Sequence, residues 1–187
     1  VYTLTIDVHD LTVAQERLRR SVARDALTDA LSRRTIMDRI DAAATLADHQ
    51  PVALYFVDLD GFKAVNDALG HTRGDQLLQS VARALQQAVR AEDAVGRFGG
   101  DEFLVLAPVH DPAGALVLGE HLLDALRNAC RDASDGAAVT ASIGYALAPQ
   151  DTNQPMRLLQ LADDAMYAAK RSGKNRVVRG GETVNGA

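Results

Sequence analysis

The 187-residue chain has one cysteine, no apolar run long enough to span a bilayer, no internal repeat and no excess of positive charge. A lone Cys130 excludes an internal disulfide framework and suits a reducing compartment. It lies in an apolar helical stretch, where a thiol serves as a small buried hydrophobe. With no spanning segment and no recognisable signal peptide, a cytoplasmic location without membrane insertion in this fragment is expected. A net charge of −5 argues against a general nucleic-acid or anionic-membrane binder, so an anionic substrate has to be met by local cations or a metal. Neither a Walker loop nor a dinucleotide-binding glycine fingerprint is present. What is there, 47% apolar and 24% charged residues, is the profile of one globular domain with a short extension.

At the start, Tyr2, Leu4 and Ile6 alternate with Thr3, Thr5 and Asp7, a strand period running to Asp10, a plausible helix N-cap. Leu11, Ala14, Leu18 and Val22 then recur at helical spacing. A strand and a charged helix do not make a domain, and the chain begins at Val1 rather than at a methionine. Residues 1–24 are therefore expected to be the last strand of an upstream module with its linker helix. The main domain is expected over residues 25–178 and a disordered Gly/Asn-rich tail over 179–187.

Within that domain Ser32 caps a helix that Pro51 stops. The continuous apolar run Val52 to Phe56 marks a central strand covered on both faces. Asp58-Leu59-Asp60-Gly61 ends it and opens a short helix over 62–69. After a loop over 70–74, an amphipathic helix carries Leu77, Leu78, Val81, Leu85 and Val89. Further helices are expected from Pro112 to Arg131 and from Pro155 to Arg171, the second ending at Gly173, with a strand from Val139 to Leu147 between them. An edge strand is expected within 175–179. Helices alternate with strands, but a hairpin interrupts the order, so the predicted class is α/β of the α+β kind: a mixed central β-sheet flanked by helices.

The hairpin is Arg97-Phe98-Gly99-Gly100-Asp101-Glu102-Phe103. Gly99 and Gly100 suit the central positions of a primed two-residue turn, where positive φ matches the strand twist. Two carboxylates follow at once. A turn without side chains lets a ligand approach the backbone, and Asp58 at the end of the central strand adds a further carboxylate beside Asp101. With a backbone carbonyl near Leu59 this makes an all-oxygen site of the kind Mg²⁺ prefers. Asp58-x-Asp60-Gly61 is not an EF-hand, because Lys63 stands where glycine is needed and Leu69 where the bidentate Glu belongs. The helix start Gly61-Phe62-Lys63 offers free N–H groups and a cation to an anion. Read alone, Asn66, Asp75, Lys170 and Lys174 have ordinary structural roles.

Together these motifs resemble the GGDEF family of diguanylate cyclases. Gly99-Gly100-Asp101-Glu102-Phe103 matches its signature, and the segment from Asp58 to Asp67, followed by Gly70-His71 and Gly74-Asp75, is similar to its second motif. Ser142-Ile143-Gly144, the segment from Ala162 to Lys170 and Ser172-Gly173-Lys174-Asn175 resemble its later blocks. The likeness covers residues 25–178 and implies a fold like the palm domain of polymerases and nucleotide cyclases.

That resemblance implies condensation of two GTP into cyclic di-GMP and two pyrophosphates. Asp58, Asp101 and the Leu59 carbonyl would hold Mg²⁺, for which Mn²⁺ can substitute, with Glu102 supporting the site and Asp101 or Glu102 accepting the 3′-hydroxyl proton. Asn66 and Asp75 would read guanine, and Lys63, Lys170 and Lys174 would bind phosphates. His71, Gly99 and Gly100 complete the implied substrate-binding set. Each subunit would hold one GTP, so two copies must face each other as a homodimer. The first strand resembles the end of a PAS sensor domain. Arg90-Ala91-Glu92-Asp93, with five residues between Asp93 and Gly99, has the spacing of the family's inhibitory site for its product, cyclic di-GMP. One departure is visible: Asp29 and Ser32 stand where the family often has Gly and Asn, which bears on loop geometry rather than on chemistry. The alternative expectation is a catalytically silent domain that senses cyclic di-GMP or GTP.

Overall fold

The structure, a computed structural model, describes residues 23–133 and 138–181. The expected upstream strand, nearly all of the linker helix and the last residues of the tail lie outside the described residues. The sheet is built around β1 (Val52–Asp60), whose nine residues are all buried, as its continuous apolar run predicts. It pairs antiparallel with β3 (Glu102–Pro108) on one side and β4 (Thr140–Ala148) on the other. Outside these lie β2 (Ala94–Gly99), antiparallel to β3, and the short β5 (Val177–Arg179), parallel to β4. The order β2-β3-β1-β4-β5 makes the sheet mixed, as expected.

Among the described residues five helices cover it: α1 (Arg33–Leu46), α2 (Phe62–Leu69), α3 (His71–Ala88), α4 (Pro112–Ala133) and α5 (Pro155–Arg171). The β1 pleat sorts them between two faces. Leu54 and Phe56 pack with Ile36 and Ile40 of α1 and Leu158 and Met166 of α5. Tyr55, Val57 and Leu59 pack with Leu78 and Val81 of α3 and Leu122 and Leu126 of α4. The Tyr55 hydroxyl donates to the Ala115 carbonyl at 2.7 Å, satisfying the one polar atom of this large buried side chain. Cys130 is buried in the same core, and that burial pushes its thiol up to about 12, so it is an inert hydrophobe. No helix among the described residues is long and apolar enough to cross a membrane.

Local chemistry explains the element ends. Ser32 is extended and its side chain accepts the Thr35 N–H, which starts α1; Pro155 opens α5, and Gly173 follows it at φ +115. At Gly144 a side chain would collide with the backbone of Ala162 and Met166, so glycine there lets α5 lie directly against β4. That close approach sets where Lys170, at the end of α5, can reach.

Three expectations need correction. The loop expected over 70–74 is a single break: α3 starts at His71, and Gly70 alone (φ +84) separates it from α2. Asp75 therefore lies in the second turn of α3 rather than opening it. The hairpin turn is displaced by one residue. Gly99 pairs with Glu102, so Gly100 and Asp101 are the turn residues, and of these only Gly100 has positive φ. The cause is a register shift between Arg97 and Gly99, where Phe98 packs edge-on to Phe56 and beneath the Arg33 guanidinium. Ordered chain also continues past Val178: Arg179 pairs with Asp151 at 2.9 Å, and the Gly180 N–H donates to the Tyr145 carbonyl.

Candidate functional site

β1, β3 and α5 bring Asp58, Glu102 and Lys170 together beside the turn that holds Asp101. Asp58 lies directly opposite Glu102 in the β1–β3 ladder, and the Leu59 N–H points to the Asp101 carbonyl at 3.4 Å. Asp58 is 8% exposed, and Lys170 Nζ approaches its Oδ1 to 2.5 Å. Among the described residues this ion pair is the one polar contact that reaches Oδ1. Burial pushes the Asp58 carboxyl above the usual carboxylate range; Lys170 opposes the rise, and Asp101 and Asp60 add to it. Glu102 is raised for the same first reason, and then by Asp58, Asp101 and Asp163. The site therefore gathers more negative charge than its lysine neutralises.

A divalent cation fits that deficit. Asp58 offers a buried carboxylate held by a single lysine, and Asp101 and Glu102 lie near enough to shift proton affinities at the site. No group of three or more His, Cys, Asp or Glu side chains poised around one metal position exists among the described residues.

Asp60, two residues on, behaves differently. Its carboxylate accepts Thr140 Oγ1 at 2.8 Å and Ser142 Oγ at 2.9 Å, with the Asn175 N–H at 3.4 Å. Those donors use up its oxygens, so Asp60 ties β1 to β4 and to the loop after α5. The sequence shows two aspartates two residues apart; only the partners of Asp60, some 80 residues distant, tell them apart.

Gly99 and Gly100 present backbone beside the acids. Arg97 holds this turn, its Nη2 and Nε donating to the Gly100 carbonyl at 2.7 and 3.0 Å while Nη1 meets Asp25 at 3.2 Å. Arg97 and Asp163 were missed from sequence. Arg97 stands beside the glycines, but its role needs Asp25, and Asp163 is separated from Lys170 by two helical turns.

A second group sits on α2 and α3. Lys63 is exposed in the first turn of α2, and His71 and Asp75 are exposed on α3. Asn66 Oδ1 is buried and has no hydrogen-bond partner, a polar atom free for a ligand. Gly74 makes room for it: a side chain there would overlap Asn66 Oδ1. Lys174 is exposed, in the left-handed conformation (φ +61), with its N–H bonded to the Ala169 carbonyl. Arg90 and Asp93 stand apart. They precede the far end of β2, six residues or roughly 20 Å of strand from the glycine turn. Asp93 Oδ2 accepts the Arg90 N–H at 2.8 Å, and both residues line a cleft of about 440 Å³.

Comparison with known proteins matches residues 22–176 to the family described as diguanylate cyclase, GGDEF domain. The bifunctional diguanylate cyclase/cyclic di-GMP phosphodiesterase MucR of Pseudomonas aeruginosa is 41% identical over 167 residues, 88% of this chain and 24% of that protein. The cyclic di-GMP phosphodiesterase PdeR of Escherichia coli is 36% identical over 170 residues, 91% of this chain and 26% of that protein. The chain thus spans about a quarter of the length of these curated relatives. Among solved structures, the coiled coil and GGDEF domain of DgcB from Caulobacter crescentus, in complex with c-di-GMP, has a TM-score of 0.80 at 28% identity, covering 92% of this chain and 93% of that one.

Proposed function

The chain belongs to the GGDEF family of diguanylate cyclase domains, and from that premise we propose that it condenses two GTP into cyclic di-GMP with release of two pyrophosphates. The observation that carries this reading is the buried Asp58 carboxylate, set opposite Glu102 at the acidic turn and paired with Lys170. Mg²⁺ or Mn²⁺ bound by Asp58, Asp101 and the Leu59 carbonyl would supply charge to the phosphate oxygens and acidify the attacking 3′-hydroxyl. Lys170 then exchanges Asp58 for a phosphate oxygen, joined by Lys63, Lys174 and the N–H groups opening α2. The Gly99-Gly100 backbone leaves room for the nucleotide. Burial raises the basicity of Glu102, the property a proton acceptor needs. Asn66 and Asp75 address the guanine edge with an amide and a carboxylate, a pattern that leaves adenine's groups unpaired.

One domain holds one GTP, so the in-line attack of each 3′-hydroxyl on the other α-phosphorus needs a second copy across a two-fold axis. An upstream sensor joined through the linker helix would control that pairing. Arg90 and Asp93 bind the product as an inhibitory site. Incubation with GTP and MgCl₂ should yield cyclic di-GMP, with specific activity rising with protein concentration, and Asp101→Ala should abolish it. Undiminished cyclisation by Asp101→Ala would overturn the site assignment. The phosphodiesterase name of PdeR favours a second reading, a domain that binds GTP or cyclic di-GMP without turnover. Cyclic di-GMP binding that depends on Arg90, with no cyclisation at any protein concentration, would establish it.

A further inference from the structure

Arg90 stands where two clefts meet. The first, of about 440 Å³, is lined by Arg90 and Asp93 before β2, by His110 and Asp111 after β3, and by His121 of α4. The second, of about 310 Å³, sets His49 and Glu92 against Arg90 and His110. Three of the chain's five histidines thus gather around one arginine. The acids there are partly committed: Asp93 Oδ2 accepts the Arg90 N–H, and Asp111 Oδ1 accepts the Gly114 N–H at 2.7 Å, capping α4. The Arg90 guanidinium and the His110 and His121 rings make no hydrogen bond or ion pair among the described residues.

We propose that His110 and His121 are ligand-binding residues of this cleft, completing with Arg90 a cationic seat for the phosphodiester groups of cyclic di-GMP. The inference rests on the product-site reading given above. A cleft of this size suits a folded dinucleotide. Asp93 keeps its Oδ1 for a guanine edge, and the phosphodiesters fall to the cations that line the same walls.

Histidine, unlike arginine, makes that seat responsive to pH. Imidazole donates from both nitrogens only when protonated, and an anionic ligand stabilises that form, so binding takes up protons. Affinity rises as pH falls through the histidine range. Charged groups of both signs face the two rings. Around His110 stand Arg90 against Asp93, Asp111 and Glu92; His121 also faces a groove carrying Arg73 and Arg83 against Asp132. Burial pushes the Asp93 carboxyl above the usual range, so in acid the guanine contact is the first to fail, which closes the window from below.

The test is calorimetric titration of the whole chain with cyclic di-GMP from pH 6 to pH 8, in buffers of differing ionisation enthalpy. Binding about tenfold tighter at pH 6 than at pH 8, with net proton uptake, is expected if an imidazolium meets the phosphate. His110→Gln combined with His121→Gln should bring the pH 6 affinity down to the pH 8 level and abolish the uptake. If the double variant does not fold, each single variant must remove part of the slope. Arg90→Ala should abolish binding at every pH. A wild-type protein that binds no cyclic di-GMP, or binds it equally well without Arg90, overturns the product-site reading and this inference with it. Arg90-dependent binding whose affinity is flat with pH, or keeps its slope without the histidines, overturns the histidine assignment alone.

Discussion

Lys170 Nζ lies 2.5 Å from Asp58 Oδ1, joining the end of α5 to the end of the central strand. Lys170 opposes the rise that burial imposes on this carboxyl without cancelling it. Such a pair seldom adds stability, since desolvating two charges offsets most of their attraction. Asp58 is thus a position where the chain gives up stability to keep a carboxylate buried.

Asp58→Asn should therefore raise the melting temperature of the metal-free protein while abolishing GTP turnover. The expected gain is on the order of 1 kcal/mol, typical of relieving a strained functional site. The pH dependence carries the same sign. Asp58, Glu102 and Asp163 have raised folded-state values, so their contribution is fully present below the ordinary 3.8 to 4.5 and is lost as pH rises through the folded values. The metal-free protein should melt higher near pH 5 than at pH 8, and Asp58→Asn should narrow that difference. A lower melting temperature for the variant across this range would count against the buried-charge account.

Arg97 and Asp25 make the opposite case. Burial pushes Asp25 upward, but hydrogen bonds from Thr28 and Arg97 outweigh it and hold the carboxyl below its ordinary 3.8. Its contribution is present above that value and is lost as pH falls through the folded one. Arg97→Ala frees the Gly100 carbonyl as well, and should cost about 1–3 kcal/mol as a charged hydrogen-bond network is broken. A double-mutant cycle with Asp25→Asn should show coupling of about 1 kcal/mol. Additive effects would mean that the two residues hold the turn independently.

The central strand, Pro155–Arg171 and the acidic turn were legible because each is written locally: an unbroken apolar run, a proline start with a glycine stop, glycines followed by acids. Other features depend on distant residues. Thr140 and Ser142 decide that Asp60 is a tie rather than a ligand, and Asp25 gives Arg97 its purpose. The two glycines alone place the turn one residue early, because the Phe98 bulge comes from contacts with Phe56 and Arg33, which no local pattern reveals. The glycines of 70–74 predict a loop, but Gly74 sits inside α3 because Asn66 packs against it.

Asp29 occupies the left-handed region at φ +57, a conformation that glycine adopts without strain. Arg24 offsets part of the strain by pairing with its carboxylate at 3.6 Å, an exposed contact of small value. Relieving the backbone strain contributes about 1 kcal/mol, and the added freedom of glycine in the unfolded chain takes back about half of that. Asp29→Gly should raise stability by about 0.5 kcal/mol with turnover unchanged. Chemical denaturation would measure it, and a destabilised variant would mean that the Arg24 contact matters more than the backbone.

Gly74→Ala separates stability from function in another way. Alanine inside a helix is favoured over glycine by about 1 kcal/mol. The new Cβ would overlap Asn66 Oδ1 and lie 2.9 Å from Asn66 Cγ, but that is the end of a side chain that can rotate toward solvent. Rotation also releases a buried oxygen from its lack of a partner. Stability should thus stay level or rise slightly, while the amide meant for guanine is displaced. GTP affinity should fall, and preference for GTP over ATP with it, by about tenfold for a lost base contact. Asn66→Ala should reproduce the loss without the stability gain. If Gly74→Ala binds GTP as tightly and selectively as the parent, Asn66 merely fills space between α2 and α3, and guanine must be read by another residue.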